Sequence, residues 1–447
     1  FRSSGFEIGI VSIIAMLLLI YIGMHVPVVL ALISFVGVWV IKGNVNIAIS
    51  LLWISAAKTV QDFLFGVIPL FVLMGLLVST AGMGRDTYDI AQNALRRVRG
   101  GLGMATVIAN AIFAAITGVS IASATVFTRI SVPEMLRYGY KGRFAVGTVA
   151  GSSVLGMLIP PSILLIIFAL IAEESVGDLF IAGIGPGILL TFSFCVLIAI
   201  MAYGFPNWVA EPGALDQQMD QEKMPGKELF AKTYPIVILV MVVLGGIYAG
   251  LYTPTEAGAA GAFVAFLFAL VRRQITVRKL WDVLVETGHI TATLLFLIIA
   301  ASMYSRMLGI SGLPTELGRV IGDMNASFVQ LMIMYVVILI ILGTIIDSVS
   351  IMLITVPLFL VVLKPFDVDL VWFGVVTVIA TEIGLLTPPL GLAVYVIKST
   401  LVQKDISLAD IFIGAAPFAL VMLVVLILVM IFPEIPLFLV ELKRSLR

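Results

Sequence analysis

Two Pro-Pro pairs interrupt strongly apolar stretches at matching places along the chain. The first lies in GMLIPPSILL at 156–165 and the second in GLLTPPLGLA at 384–393. Proline has no backbone N–H and its ring clashes with the preceding helical turn, so each pair must end or break the helix around it. Any fold of this chain must therefore satisfy two interrupted backbones that lie among apolar residues.

Apolar runs long enough to span a bilayer recur along the whole sequence, for example at 8–22, 64–80, 179–203, 237–251 and 415–432. Hydrophobic residues make up 61% of the chain and charged residues 12%, whereas a soluble chain has about 45–50% and about 25%. No segment between the runs is long enough to fold as a soluble domain, and a net charge of zero indicates no polyanionic partner such as nucleic acid. The sequence therefore predicts an all-α polytopic membrane protein in contact with lipid.

The two halves of the chain repeat the same motifs in the same order and at a nearly constant offset. The matched pairs are GMLIPP with GLLTPP, Val132-Pro133 with Val356-Pro357, FIAGIGP at 180–186 with FIGAAP at 412–417, and Val26-Pro27 with Thr253-Pro254. No single match is strong, but their common order predicts an internal repeat over nearly the whole chain.

Each half predicts three spans, a short amphipathic surface segment, a hairpin, a helix broken at the Pro-Pro pair and a final span. In the first half these are 6–22, 25–41, 63–81, 84–100, 102–117 with 124–136, 144–172 and 179–204. In the second half they are 233–250, 255–271, 288–308, 313–324, 327–342 with 349–362, 370–398 and 411–432. The hairpin arms surround polar tips, GVSIAS and GTIIDS, and are shorter than the about 20 residues that a crossing needs. We therefore predict two re-entrant hairpins.

An odd number of crossings, five in each half, places the second half upside down relative to the first. This inverted-topology repeat is typical of secondary transporters. Sixteen of the 26 basic residues fall in loops on one side, which predicts that this side is cytoplasmic and that both termini face outward. The basic C-terminal segment ELKRSLR is the exception. Hairpin one would then open from the cytoplasm and hairpin two from the outside, with their tips near the midplane.

A broken helix exposes carbonyl oxygens at one end and N–H groups at the other, which suit a small cation such as Na⁺ and an anion, respectively. We therefore predict two sites, each formed by one hairpin tip and one break. The candidate Na⁺ ligands are Gly118, Ser120, Ser123, Gly156, Ile159 and Pro161, and Gly343, Asp347, Gly384, Thr387 and Pro389. The candidate substrate contacts are Ser120, Thr125, Arg129, Ser152, Ser153, Asp347, Ser348 and Thr381.

Charged residues at membrane depth are costly and usually functional. Asp347 could bind a cation directly or cap a half-helix, and the sequence leaves both alternatives open. Arg129 could face an anionic substrate, pair with a neighbour, or reach the interface. Glu382 is a possible supporting group behind the second site, and Arg306, close to Tyr304, is expected at the membrane interface.

The stretches AAITGVSIASATVFTRISVPEM, GMLIPPSILLIIFA, LFIAGIGPGILL, TPTEAGAAGA, LGTIIDSVSIMLITVP and IGLLTPPLGLAVYV together carry a resemblance. The chain resembles the large membrane subunit, the DctM type, of tripartite ATP-independent periplasmic (TRAP) transporters. The resemblance implies Na⁺-coupled uptake of an organic acid across a bacterial inner membrane. It also implies two partners, a periplasmic DctP-type binding protein and a small four-helix DctQ-type membrane subunit that some members carry fused.

The same resemblance implies an elevator-type fold, in which a transport domain moves against a scaffold. On this sequence the transport domain would comprise 84–178 and 313–410, and the scaffold 1–83, 179–312 and 411–447. The first rival interpretation is a stand-alone cation-coupled carboxylate transporter without a binding protein. An intramembrane aspartyl protease would need two carboxylates that share a proton, and the first tip has no second aspartate. A passive channel is disfavoured by closed tips at the midplane, so the sequence predicts a transporter and not an enzyme.

Overall fold

The computed structural model describes residues 2–118, 120–389 and 391–445. Throughout these residues the backbone is helical between short loops, and β-type pairing is limited to one isolated bridge between Tyr140 and Ala210. The prediction of an all-α chain is therefore confirmed.

The first half of the chain is built from helices α1 to α11. They are α1 (Arg2–Tyr21), α2 (Val26–Lys42), α3 (Val45–Val60), α4 (Val67–Thr80), α5 (Met83–Leu95), α6 (Gly101–Thr117), α7 (Ser120–Arg137), α8 (Gly142–Ser153), α9 (Leu155–Leu158), α10 (Ile163–Ala172) and α11 (Val176–Gly204). Two short helices, α12 (Pro206–Val209) and α13 (Ala214–Gln217), lead to the second half.

The second half repeats this order with helices α14 to α24. They are α14 (Gly226–Val240), α15 (Gly246–Tyr248), α16 (Pro254–Val271), α17 (Val277–Ser311), α18 (Leu313–Asp323), α19 (Phe328–Gly343), α20 (Ser348–Leu363), α21 (Leu370–Leu385), α22 (Leu392–Thr400), α23 (Leu408–Ile431) and α24 (Glu434–Ser445). One π-helical stretch, Met241–Gly245, joins α14 to α15 into a single span.

The packing between the halves follows the repeat. Helix α10 packs on α20, and the counterpart helices α22 and α7 pack on each other. Likewise α4 packs on α16, and α17 packs on α2. In the repeat, α10 corresponds to α22 and α20 to α7, and likewise α4 corresponds to α17 and α16 to α2. Each of these contacts between the halves therefore has an equivalent contact, which is the pseudo-two-fold relationship that an inverted repeat produces.

Helix length agrees with a membrane protein. In the described part of the chain, six helices are long and apolar enough to cross a bilayer, or eight if each of two bent pairs counts as one span. The first arm of each hairpin, Gly101–Thr117 and Phe328–Gly343, is shorter than these. The return arm of hairpin two reaches 19 residues, Ser348–Phe366, because a 3-10 turn extends α20 beyond the predicted end.

Besides the short helices α12 and α13, two longer helices are not predicted from the sequence. Helix α3 fills the segment between the second and third spans, and its Asn44 cap accepts a hydrogen bond from the Asn46 N–H at 2.8 Å. In the second half the equivalent segment is the first part of α17, which continues into the third span without a break. Helix α3 is not predicted because its apolar residues are mixed with hydroxyl groups and an amide, and because the whole helix has only 16 residues.

The other unpredicted helix, α24, accounts for the basic C-terminal segment. Helix α24 packs on α11, and its Lys443 Nζ lies 2.8 Å from Asp178 Oδ1. Arg444 lies 3.1 Å from Asp369 Oδ2. Both cations therefore pair with carboxylates at the ends of neighbouring helices. This pairing explains their position on the predicted outer side, where the positive-inside rule does not predict basic residues.

The final spans of both halves interlock with the first broken helix. A Cβ built on Gly147 of α8 would lie 2.2 Å from the Gly414 backbone of α23. A Cβ on Gly183 of α11 would lie 2.5 Å from the Leu158 carbonyl oxygen. Backbones that approach this closely pack as one body, because neither helix can slide without bringing side chains into the contact.

Candidate ion and substrate sites at the two helix breaks

The first broken helix changes direction by 42° between Gly142–Leu158 and Ile163–Ala172. Its Pro-Pro pair offers no N–H groups, so the carbonyls one turn earlier, those of Gly156 and Met157, lose their helical donors. Ser162 restores one of these hydrogen bonds, because its hydroxyl donates to the Met157 carbonyl while it caps α10. The Gly156 carbonyl is left without a helical donor at the break.

The tip of hairpin one lies directly on this break. The Ile163 N–H donates to the Gly118 carbonyl oxygen at 3.3 Å. Gly118 has φ +73°, and a Cβ there would lie 2.2 Å from the Pro161 carbonyl oxygen. Glycine is therefore needed for two reasons, the left-handed conformation and the close approach of two backbones.

A buried polar cluster lies behind the first tip. Asn110 Nδ2 on α6 donates to Ser152 Oγ on α8 at 2.6 Å. In the described structure Asn110 Oδ1 and Ser123 Oγ have no hydrogen-bond partner, and both residues are 0% exposed. Unpaired buried oxygens are costly, and neutral oxygens of this kind are ligands of hard cations. The first site therefore fits a bound cation.

Asn110 is the residue of this cluster that sequence reasoning missed. It lies on the buried face of α6, well before the hairpin tip, and the prediction considered only the tip and the break. The available signal was a lone amide within an otherwise apolar helix of 17 residues, because a buried amide needs partners.

The second tip meets the second break in the same way. The Gly391 N–H, after the Pro-Pro pair, donates to the Thr344 carbonyl oxygen at 3.4 Å. A Cβ on Gly343 would lie 2.7 Å from Gly384 Cα and 3.0 Å from the Thr381 carbonyl oxygen. Each half thus holds its hairpin tip against its break by one backbone hydrogen bond and by glycine contacts.

Asp347 caps helix α20. Its carboxylate accepts hydrogen bonds from the Ser350 N–H at 3.0 Å and from the Ser350 hydroxyl at 2.5 Å. The side chain is half-buried, so the capping role that the sequence left open is present. Direct binding of a cation by the remaining lone pairs stays a prediction.

Glu382 of α21 connects the second break to hairpin two. Its carboxyl group is 2% exposed, and Ser348 Oγ, in the first turn of α20, donates to Glu382 Oε1 at 2.6 Å. A buried carboxyl group with one hydroxyl donor fixes the position of the hairpin relative to the broken helix.

The predicted residues fall into two groups. The residues at the tips and breaks lie together in each half, namely Gly118, Ser120, Ser123, Ser152, Ser153, Gly156, Ile159 and Pro161, and Gly343, Asp347, Ser348, Thr381, Gly384, Thr387 and Pro389. The hydroxyl groups of Ser153, Thr381 and Thr387 donate to carbonyl oxygens three or four residues earlier, which leaves only their lone pairs for a ligand.

Two predicted substrate contacts lie further along α7. Thr125 is half-buried, and Arg129 is exposed. Arg129 forms no ion pair within the described residues, so the alternative in which it pairs with a neighbouring carboxylate has no support there. Neither residue belongs to the tip contacts.

An inverted repeat of apolar helices, with paired hairpins and broken helices that meet at buried polar groups, defines a membrane transporter of the secondary type. Residues 13–435 match the family model described as "Tripartite ATP-independent periplasmic transporter, DctM component". The chain belongs to this family. It is a large permease of a TRAP transporter, a multi-pass protein of the bacterial inner membrane and not an enzyme.

Curated relatives share most of the chain. The C4-dicarboxylate TRAP transporter large permease protein DctM of Pseudomonas aeruginosa is 32% identical over 385 residues, which are 86% of this chain and 88% of the relative. The sialic acid TRAP transporter large permease protein SiaM of Vibrio cholerae is 29% identical over 387 residues, 86% of this chain and 87% of the relative.

A third relative, the isethionate TRAP transporter permease protein DctMQ of Oleidesulfovibrio alaskensis, is 28% identical over 385 residues, 86% of this chain and 59% of that protein. Among solved structures, the YdaH transporter of Alcanivorax borkumensis matches with a TM-score of 0.57 and 14% identity, over 85% of this chain and 89% of that one. This last likeness concerns the fold alone.

Proposed function

We propose that this permease takes up an organic acid delivered by a periplasmic binding protein and uses a Na⁺ gradient to drive an elevator movement. The observation that carries the proposal is the pair of tip-to-break contacts, Ile163 N–H to the Gly118 carbonyl and Gly391 N–H to the Thr344 carbonyl. Each contact holds a hairpin tip against a helix break. Polar groups lie together at each of these places, although the surrounding helices are apolar.

The chemistry of the first site supports a small cation as the coupling ion. Ser123 Oγ and Asn110 Oδ1 lack partners in the described structure, and the Gly156 carbonyl lacks its helical donor because of the Pro-Pro pair. Interrupted helices in transporters bind Na⁺ through such carbonyl and hydroxyl oxygens. Ion binding at this position would hold tip one on its break and so favour the closed hairpin.

The packing supports a moving unit larger than the one expected from the sequence. That expectation placed 179–312 and 411–447 in the scaffold, which makes α11 and α23 stationary. The close approach of Gly147 to Gly414 and of Gly183 to Leu158 favours a unit in which both helices move with the hairpins and broken helices. The scaffold would then consist of α1 to α4 and α14 to α17, with α5 and α18 as the links.

The proposed substrate class is supported by the relatives, whose names specify C4-dicarboxylates, sialic acid and isethionate. All three are anions with a carboxylate or sulfonate group. By the same family relationship, the partners would be a small membrane subunit and a periplasmic binding protein, and the DctMQ relative combines two components in its name.

The test is uptake into proteoliposomes that contain the chain with its small subunit. Labelled succinate, N-acetylneuraminate and isethionate would be assayed separately, with and without an inward Na⁺ gradient and with and without binding protein. Uptake that needs both the gradient and the binding protein would support the proposal. Uptake that needs Na⁺ alone would favour the stand-alone transporter, and uptake of all three acids that is indifferent to Na⁺ would contradict the coupling.

A further inference from the structure

A cavity of about 630 Å³ lies between helices α3 and α17 on one side and α10 and α20 on the other. None of the tip and break residues described above lines this cavity. It lies at the end of hairpin two opposite the tip, on the face that the distribution of basic loops assigns to the outside.

Two cations line the cavity, Arg306 of α17 and Lys58 of α3. Within the described residues neither forms an ion pair or a hydrogen bond. Arg306 belongs to a membrane-spanning helix of 35 residues. The side chains of Arg306 and Lys58 are both exposed. A guanidinium in such a helix is stabilised by water or by an anion, so Arg306 on the cavity wall is open to a ligand of opposite charge.

A chain of hydroxyl groups joins the two helices that carry the cations. Ser55 Oγ of α3 lies 2.8 Å from Ser302 Oγ of α17, and Thr59 Oγ1 donates to Ser302 Oγ at 3.0 Å. Lys58 is the neighbour of Thr59, and Arg306 lies one helical turn beyond Ser302. The α3–α17 contact therefore fixes the three hydroxyl groups, and the two cations extend from the same pair of helices.

The facing wall is mostly apolar and belongs to the proposed moving unit. It is formed by side chains of α10 and α20, including Ile167, Ile171, Leu353 and Leu360. Two carboxylates, those of Asp62 and Glu173, also line the cavity. Asp62 already has an interaction of its own, and Glu173 lies at the exposed end of α10.

We infer that this cavity binds a carboxylate-bearing anion, held by Arg306, Lys58 and the hydroxyl groups between them, with its carbon skeleton against hairpin two. The inference rests on the proposed function, because it makes the cavity the first stop of the organic acid before the tips. Its position between a fixed wall and a moving wall means that displacement of hairpin two would change the site and release the anion.

The local charge can be tested without transport. The only cysteine of the sequence, Cys195, would be replaced by alanine, and Ser305→Cys would place a thiol beside Arg306 on the cavity wall. Modification rates would be compared for two methanethiosulfonate reagents, the anionic ethylsulfonate and the cationic ethyltrimethylammonium. The matched control is Ser50→Cys, an exposed position of α3 that does not line the cavity.

We expect the ratio of anionic to cationic rates to be higher at Ser305→Cys than at Ser50→Cys. The ratio should fall about tenfold when Arg306→Gln and Lys58→Gln are added, since a charged cleft concentrates counter-ions by at least that factor. Succinate should slow the anionic reagent at Ser305→Cys, and chloride at equal ionic strength should not. If Ser305→Cys does not fold, Ile171→Cys on the facing wall serves instead.

Equal ratios at the two positions, or no protection by succinate, would overturn the inference whatever the outcome of the uptake assay. Slowing by anionic phospholipid but not by succinate would overturn it in favour of a lipid headgroup.

In proteoliposomes that do transport, Arg306→Gln should raise the KM for the acid about tenfold with little change in kcat. Arg319→Gln, an exposed residue of α18 outside the cavity, should leave both unchanged.

Discussion

Gly343 and Gly384 meet backbone to backbone where hairpin two crosses the second broken helix. A Cβ built on Gly384 would lie 2.5 Å from the Cα of Gly343, and one on Gly343 would lie 2.7 Å from the Cα of Gly384. No L side chain fits between these helices unless they separate. The contact therefore fixes how closely the polar tip can approach the interrupted backbone.

Gly384→Ala should push α19 away from α21 and destabilise the fold. Alanine at an unhindered helical glycine gains about 0.5–1 kcal/mol, whereas overpacking at this crossing should cost about 1–3 kcal/mol. Thermal unfolding of the purified chain would measure the net loss. The matched control is Gly309→Ala in α17, where a Cβ meets nothing within 4 Å, and a loss of stability there equal to that at Gly384 would contradict the explanation.

The repeat explains why the sequence was informative about the fold. Pro160 and Pro388 mark breaks that proline chemistry makes almost unavoidable, and the segments around them recur in order. Several helices begin close to the predicted positions, for example α20 at Ser348 and α21 at Leu370, whereas α17 begins at Val277, well before the predicted 288. These features are local, so they can be recognised from neighbouring residues alone.

The candidate sites depend on contacts that the sequence does not specify. Asn110 and Ser152 are 42 residues apart, and no local pattern indicates that they form a hydrogen bond. Gly147 and Gly414 lie much further apart in sequence, and the proposal that α23 moves with the hairpins rests on their contact. Helix α3 is not predicted because its apolar positions are mixed with polar residues, so its apolar pattern is weaker than that of a crossing span.

Asp347→Asn separates the two roles left open for this residue. Asparagine caps helices about as well as aspartate, so the stability of the purified chain should change by less than about 0.5 kcal/mol. If the carboxylate also binds the coupling ion, the Na⁺ concentration for half-maximal uptake should rise at least about tenfold. Unchanged Na⁺ dependence with unchanged stability would show that Asp347 is a cap alone, and Asp347→Ala, which removes both functions, is the comparison variant.

Glu382→Gln and Glu382→Leu should differ, because only glutamine can still accept the hydrogen bond from Ser348. We expect Glu382→Gln to retain most of the stability and Glu382→Leu to lose about 1–3 kcal/mol, the cost of leaving the buried hydroxyl without its acceptor. Combining Glu382→Leu with Ser348→Ala should restore part of this loss. A double-mutant cycle from thermal unfolding measures the coupling, and additive losses would mean that the hydrogen bond does not position hairpin two.

The ion pair between Arg272 and Asp86 ties α5 to the end of α16, and Arg272 also donates to the Ala81 carbonyl at 3.2 Å. The two side chains are 24% and 11% exposed. Arg272→Gln should therefore cost about 2 kcal/mol, because a mostly buried carboxylate loses its partner.

Asp86→Asn in the Arg272→Gln background should recover much of this loss, since no charge then remains unpaired. The comparison is Arg319→Gln, which breaks an exposed pair with Glu316 and should cost less than about 0.5 kcal/mol. Both are measured by thermal unfolding. Because α5 continues into hairpin one, Arg272→Gln should also slow uptake, and it should do so more than Arg319→Gln does. Equal effects of Arg272→Gln and Arg319→Gln on uptake would argue against α5 as the anchored link between scaffold and hairpin.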